Sequence, residues 1–139
     1  MNSLSNTHHR LFSSLIEEIE NELFEIEGFL QRPDHPHVIN KWENKLDERE
    51  ILQLKNNMET CYKRMRLFVQ HFELPEKEHD LRNALETKAS FLWETLENSK
   101  SKRMKGSGEM AVIHQKVLDS FLADMIITVD EMMNTLSRG

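Results

Sequence analysis

Between Phe12 and Leu30 the apolar residues Phe12, Ile16, Ile19, Leu23, Ile26 and Leu30 recur at intervals of four, three, four, three and four. A 3.5-residue repeat is the seam of a helix lying nearly parallel to a neighbour. Glu17, Glu18, Glu20, Glu22, Glu25 and Glu27 fill the intervals and make the solvent face. Leu11, Leu15 and Phe24 widen the stripe beyond a two-stranded seam, which points to a bundle core. Pro33 restricts Arg32 and Pro36 forbids quick resumption, so the first helix is predicted over roughly 7–32.

The second stripe, Ile51, Leu54, Met58, Cys61, Met65, Phe68 and Phe72, keeps the same alternation. Its start has two candidates. Asp47 with Glu50 forms a capping box, with Leu46 against Ile51 as a hydrophobic staple, and Asn40 with Glu43 offers an earlier one. Nothing between them breaks a helix, and the earlier start is favoured, giving 39–73. Pro75 suits the first position of a third helix, predicted over 75–103. Its stripe is Leu81, Leu85, Ala89, Leu92 and Leu96, flanked by Phe91 and Trp93. Acidic residues at its start and Lys100, Lys102, Arg103 and Lys105 at its end complement the helix dipole. After the flexible "GSG" at 106–108, Met110, Ile113, Val117, Phe121, Met125, Val129, Met132 and Leu136 mark a fourth helix over 109–137.

With 139 residues the chain fits one domain, and only four Gly and three Pro argue against a sheet of many hairpins. The expected fold is all-α: four long helices in an up-down-up-down antiparallel bundle, because short links force antiparallel neighbours. Any apolar stripe that four helices leave uncovered needs another chain, so a homodimer is a further expectation. A net charge of −6 repels phosphates and disfavours nucleic acid and anionic membranes. No apolar run reaches the length of a membrane span, and a single cysteine cannot form an internal disulfide. A cytoplasmic protein is expected. Cys61, on the second seam, reads as an inert core thiol.

Several residue groups could carry chemistry. Arg66 and His71 in "RLFVQH" resemble the Arg-x4–6-His spacing of the helical ribonucleases called HEPN, and Arg64 with His71 fits it too. That resemblance implies metal-independent RNA cleavage, with arginine stabilising the phosphorane and histidine moving a proton. Leu67 stands where those enzymes usually carry a polar residue. Five residues also turn a helix by about 140°, which puts Arg66 and His71 on opposite flanks of the stripe. Glu76 and His79 form one Glu-x-x-His, whereas di-iron bundles need two, plus a glutamate on each remaining helix. In the expected topology His8, His9, His71 and His79 gather with Glu76 at one end, a donor set suited to zinc, copper or nickel, or left solvated.

Trp42 and Trp93, and the basic residues Lys100, Lys102, Arg103 and Lys105, are candidates for a partner surface, with core burial and helix termination as their structural alternatives. Neither a phosphate-binding glycine loop nor a nucleophile elbow occurs, and no cofactor is expected. The sequence therefore leads to a non-enzymatic, acidic helical protein acting through protein–protein contacts as a regulator, adaptor or assembly subunit. The ribonuclease and the metal- or ligand-binding bundle remain as alternatives.

Overall fold

The computed structural model describes residues 4–104, 106 and 108–138. They form four α-helices, α1 (Asn6–Gln31), α2 (Glu48–His71), α3 (Leu81–Asn98) and α4 (Val112–Ser137), with short 3-10 turns at Arg32–Asp34 and Ser101–Arg103. No strand occurs among the described residues. The chain divides into two compact units, Met1–Glu76 and Lys77–Gly139. Each contains one antiparallel helical hairpin.

In the first unit, α1 opens on Ser5, whose hydroxyl oxygen accepts the His8 N–H at 3.2 Å. It runs for 26 residues, as its uninterrupted stripe requires, before Pro33 in the 3-10 turn ends it. α2 begins at Glu48 and not near residue 39. The reason is the complete capping box at Asp47. Its carboxylate accepts the Glu50 N–H at 2.7 Å, and the Glu50 carboxylate accepts the Asp47 N–H at 3.1 Å. Two otherwise orphan donors are satisfied there, whereas Asn40 lies in an irregular connection and caps nothing. α2 ends without glycine. Glu73 takes a left-handed φ of 50°, and the N–H groups of Glu73 and Leu74 return to the carbonyls of Gln70 and Val69. This is the Schellman pattern, and Leu74 is buried at its end.

The core of this hairpin is Leu23 against Met58 and Met65, flanked by Ile16, Ile19, Leu30 and Tyr62. At one end Phe12 stands 5.3 Å from Phe68 and 4.9 Å from Phe72, ring centre to ring centre. Towards the other end the Tyr62 hydroxyl donates to Glu27 at 3.3 Å. Early α1 therefore meets late α2, and the register is fixed.

In the second unit, α3 starts at Leu81 and not at Pro75. Asp80 is its cap, accepting the Asn83 N–H at 3.4 Å. It stops at Asn98 and does not continue to residue 103. The Ser99 hydroxyl donates to the Thr95 carbonyl, and the next residues form a turn anchored on α4. That anchor is Asp119, which accepts from both the N–H (3.0 Å) and the hydroxyl (2.6 Å) of Ser101. The core is Leu96, Leu122 and Val129, with Leu118, Met125, Ile126 and Met133 packed against it. Val129 is 1% exposed, and Ala89 is buried one stripe position from Leu92. The packing of α3 on α4 is that of a helical bundle. At the far end the Arg82 guanidinium donates to the Leu136 carbonyl.

Candidate functional site

The predicted ribonuclease residues all lie on the surface of α2. Arg66 reaches over the Tyr62 ring, with its guanidinium carbon 5.9 Å from the ring centre. His71 sits edge-on to Phe72 at 4.7 Å. The depression beside Arg66 is lined by Asn56, Glu59, Thr60, Tyr62 and Lys63, all of the same helix. One helix cannot enclose a substrate, so this is a solvated polar face. Arg64 points away from it, on the opposite flank of the stripe from Arg66 by the helical period.

Of the predicted histidine group, His8 and His71 border one aromatic cluster: His8 is 6.3 Å from Phe12, and His71 abuts Phe72. His8 Nδ1 is hydrogen-bonded to the Ser5 hydroxyl at 2.7 Å. Among the described residues, His9, His79 and Glu76 included, no group of three or more His, Cys, Asp or Glu side chains is placed to hold a metal ion. No helix among them is long and apolar enough to cross a membrane.

Cys61, expected in the core, is exposed. The sequence stripe includes it, but Met58 and Met65 occupy the line of contact with α1, and Cys61 lies about 60° round the helix from Met58. Trp42 also departs from expectation. It belongs to the irregular connection before α2 and not to a helix start. There it meets Phe29 edge-on at 5.6 Å, and Arg32 lies over both rings, 4.0 Å from Phe29 and 4.9 Å from Trp42. Shortly before Trp42 in the same connection, Val38 and Ile39 stand in solvent on a bend, at 102% and 87% exposure. Sequence reasoning passed over both, since an early α2 start would have made Ile39 an ordinary helix-end residue. The signal that could have found them was the strength of the Asp47–Glu50 box.

In the second unit the basic residues divide. Lys100 pairs with Glu97 at 2.8 Å, and its hydrogen bond holds the Glu97 carboxyl below the ordinary range. The Asp119 carboxyl is likewise lowered, first by the Ser101 hydroxyl and then by the Ser101 N–H. Lys102 and Arg103 remain exposed on the turn, and Lys105 lies outside the described residues. Trp93 stands beside the α3 stripe and is 37% exposed. The Tyr62 hydroxyl has a raised pKa, pushed up by burial and then by the neighbouring Glu27 carboxylate. Comparison with known families, characterised proteins and solved structures finds no match.

Proposed function

We propose that this chain is a non-enzymatic, cytoplasmic interaction protein, a regulator, adaptor or assembly subunit, that engages its partner through the connection between α1 and α2. The exposure of Val38 and Ile39, shortly before Trp42 of the Phe29–Trp42–Arg32 group, carries this reading. Two aliphatic side chains held in water on a bend of the connection are costly in isolation, at about 1.5–3 kcal/mol each relative to burial. Entering an apolar cleft of another protein recovers that energy. Trp42 and Arg32, of the residue types that dominate interface energetics, stand at the edge of such a contact. The flanking Lys41 and Lys45 suit a cleft with an acidic rim.

The test is affinity purification of the full chain from its native host, beside the Val38→Asp/Ile39→Asp variant. The expected result is one stoichiometric partner that the parent retains and the variant loses. Recovery of the same proteins with both chains, or of free chain alone, overturns the reading. An RNA cleavage assay on the parent and His71→Ala addresses the ribonuclease alternative separately, and equal absence of activity is expected.

A further inference from the structure

The chain exposes 12284 Å². A compact protein of 16.5 kDa exposes about 7,500 Å², and two separate compact domains of half that mass about 9,100 Å². Some 3,000 Å² per chain is therefore in excess even if each unit is considered alone. An obligate dimer interface buries about 2,000–5,000 Å² counted over both partners, so the excess suffices for one.

In the first hairpin part of this surface is an apolar arc on one side of α1. Taking Leu23 as the contact line of α1, Leu11, Leu15, Ile26 and Phe29 lie about 60–120° round in one sense. They are 58%, 48%, 43% and 46% exposed. On α2, Cys61 and Phe68 lie about 60–80° from Met58 in the same sense. In an antiparallel pair, equal rotations in one sense fall on the same side, since reversing the axis and turning to face the partner cancel. Tyr62 and Glu27 bear this out. Both lie about 40° round in the opposite sense, and they hydrogen-bond. This side of the hairpin thus carries apolar residues on both helices, with Glu50, Asn57 and Arg64 beside them on α2, while the other side carries Glu20, Glu27, Glu59 and Arg66 together with the exposed Phe24 and Leu52.

We infer that this apolar side is covered by the same side of a second copy of the chain. A two-fold axis parallel to the helices lays α1 of one copy over α2 of the other without changing level. The contacts Phe12–Phe72 and Tyr62–Glu27 set which residues share a level. Leu15 then meets Phe68 of the other copy, and Ile26 meets Cys61. At the rim Glu22 meets Arg64. Within one hairpin Glu22 and Arg64 stand on opposite outer edges, so only a second copy brings these charges together. Charge complementarity thus selects the same arrangement as apolar area, and a closed two-fold contact uses the apolar side of each hairpin at once. Phe29 borders both this surface and the Trp42–Arg32 group, but Leu15, Ile26, Cys61 and Phe68 take no part in the Val38–Ile39 connection, so variants at Leu15 and Ile26 test this proposal separately.

Sedimentation equilibrium of the full chain tests it, with maleimide labelling of the single cysteine as a second readout. The expected mass is twice 16.5 kDa, with slow labelling of Cys61. Leu15→Glu/Ile26→Glu should raise the dimer dissociation constant by about 100-fold and speed labelling, with helical circular dichroism retained. Phe24→Glu, on the opposite side of α1 and 73% exposed, should leave the dimer intact. Arg64→Glu should weaken it about tenfold, and adding Glu22→Arg should restore it. A monomer at all concentrations overturns the proposal. Slow labelling would then mean a face covered within one chain, and fast labelling a face left to another protein. Failure of the charge reversal to restore a weakened dimer overturns this arrangement of the copies.

Discussion

The two hairpins solve one packing problem with different side chains. In the first, flexible methionines and three phenylalanines fill the seam, and no core residue is as fully enclosed as Val129 in the second. The second uses Leu96, Leu122 and Val129, with the small Ala89 permitting close approach of the helix axes. Their connections differ as well. A 13-residue irregular stretch ending in a capping box precedes α2, while Asp119 grips the turn after α3 directly. The lesson is that an apolar stripe at helical spacing fixes where a helix presents its core, but residue size decides how completely a single neighbour can close over it.

The sharpest way to break this contrast is to delete the same side chain from each core. Leu122→Ala should cost about 3–4 kcal/mol, and Leu23→Ala about 2–3 kcal/mol, because the methionines around Leu23 can shift into the space. Urea unfolding of the two variants measures both, and equal costs would remove the distinction. Next in size is the cap. Asp47→Ala should destabilise by about 1 kcal/mol, and amide exchange should accelerate at Glu48–Glu50 while the second hairpin is unaffected. Exchange spreading evenly over both hairpins would show that the connection is not an independent feature of the first.

The smallest effect concerns pH. The Asp119 carboxyl is lowered in the folded chain, so its contribution is fully present above the ordinary carboxylate value of 3.8. It is lost as pH falls below that value and through the lowered one. Acidification should therefore speed exchange of the Ser101 amide before the core of the second hairpin opens. Asp119→Asn should make Ser101 exchange fast at neutral pH and abolish this dependence. An unchanged profile in the variant would place the restraint elsewhere.

Much of the architecture was legible in the residues. The α1 stripe predicted its helix to within a residue at each end, because no alternative cap competed with Ser5 and Pro33. The start of α2 was legible in kind but misassigned, since two capping signals stood within eight residues and only the one at Asp47 satisfies both orphan donors. Pro75 misled for a different reason. It can open a helix, but Asp80 offers a side-chain acceptor and Pro75 offers none, so α3 begins six residues later. Of the candidate sites, Trp42 was singled out from sequence and is exposed beside Arg32. Val38 and Ile39 were not, because the expected helix over 39–73 starts at Ile39 and leaves Val38 as the residue before it.

The sequence by itself determined that this chain makes four helices, and which arc of each is apolar, because the helical period is local and follows from residue order. Only the tertiary structure decided which part of each arc is covered. Every stripe is wider than one neighbouring helix can shield, so the contact line takes Leu23, Met58, Leu122 and Val129 and leaves Leu15, Ile26, Cys61 and Phe121 in water. Cys61 illustrates the difference: its place on the seam was written in the spacing, while its exposure came from where α1 settled.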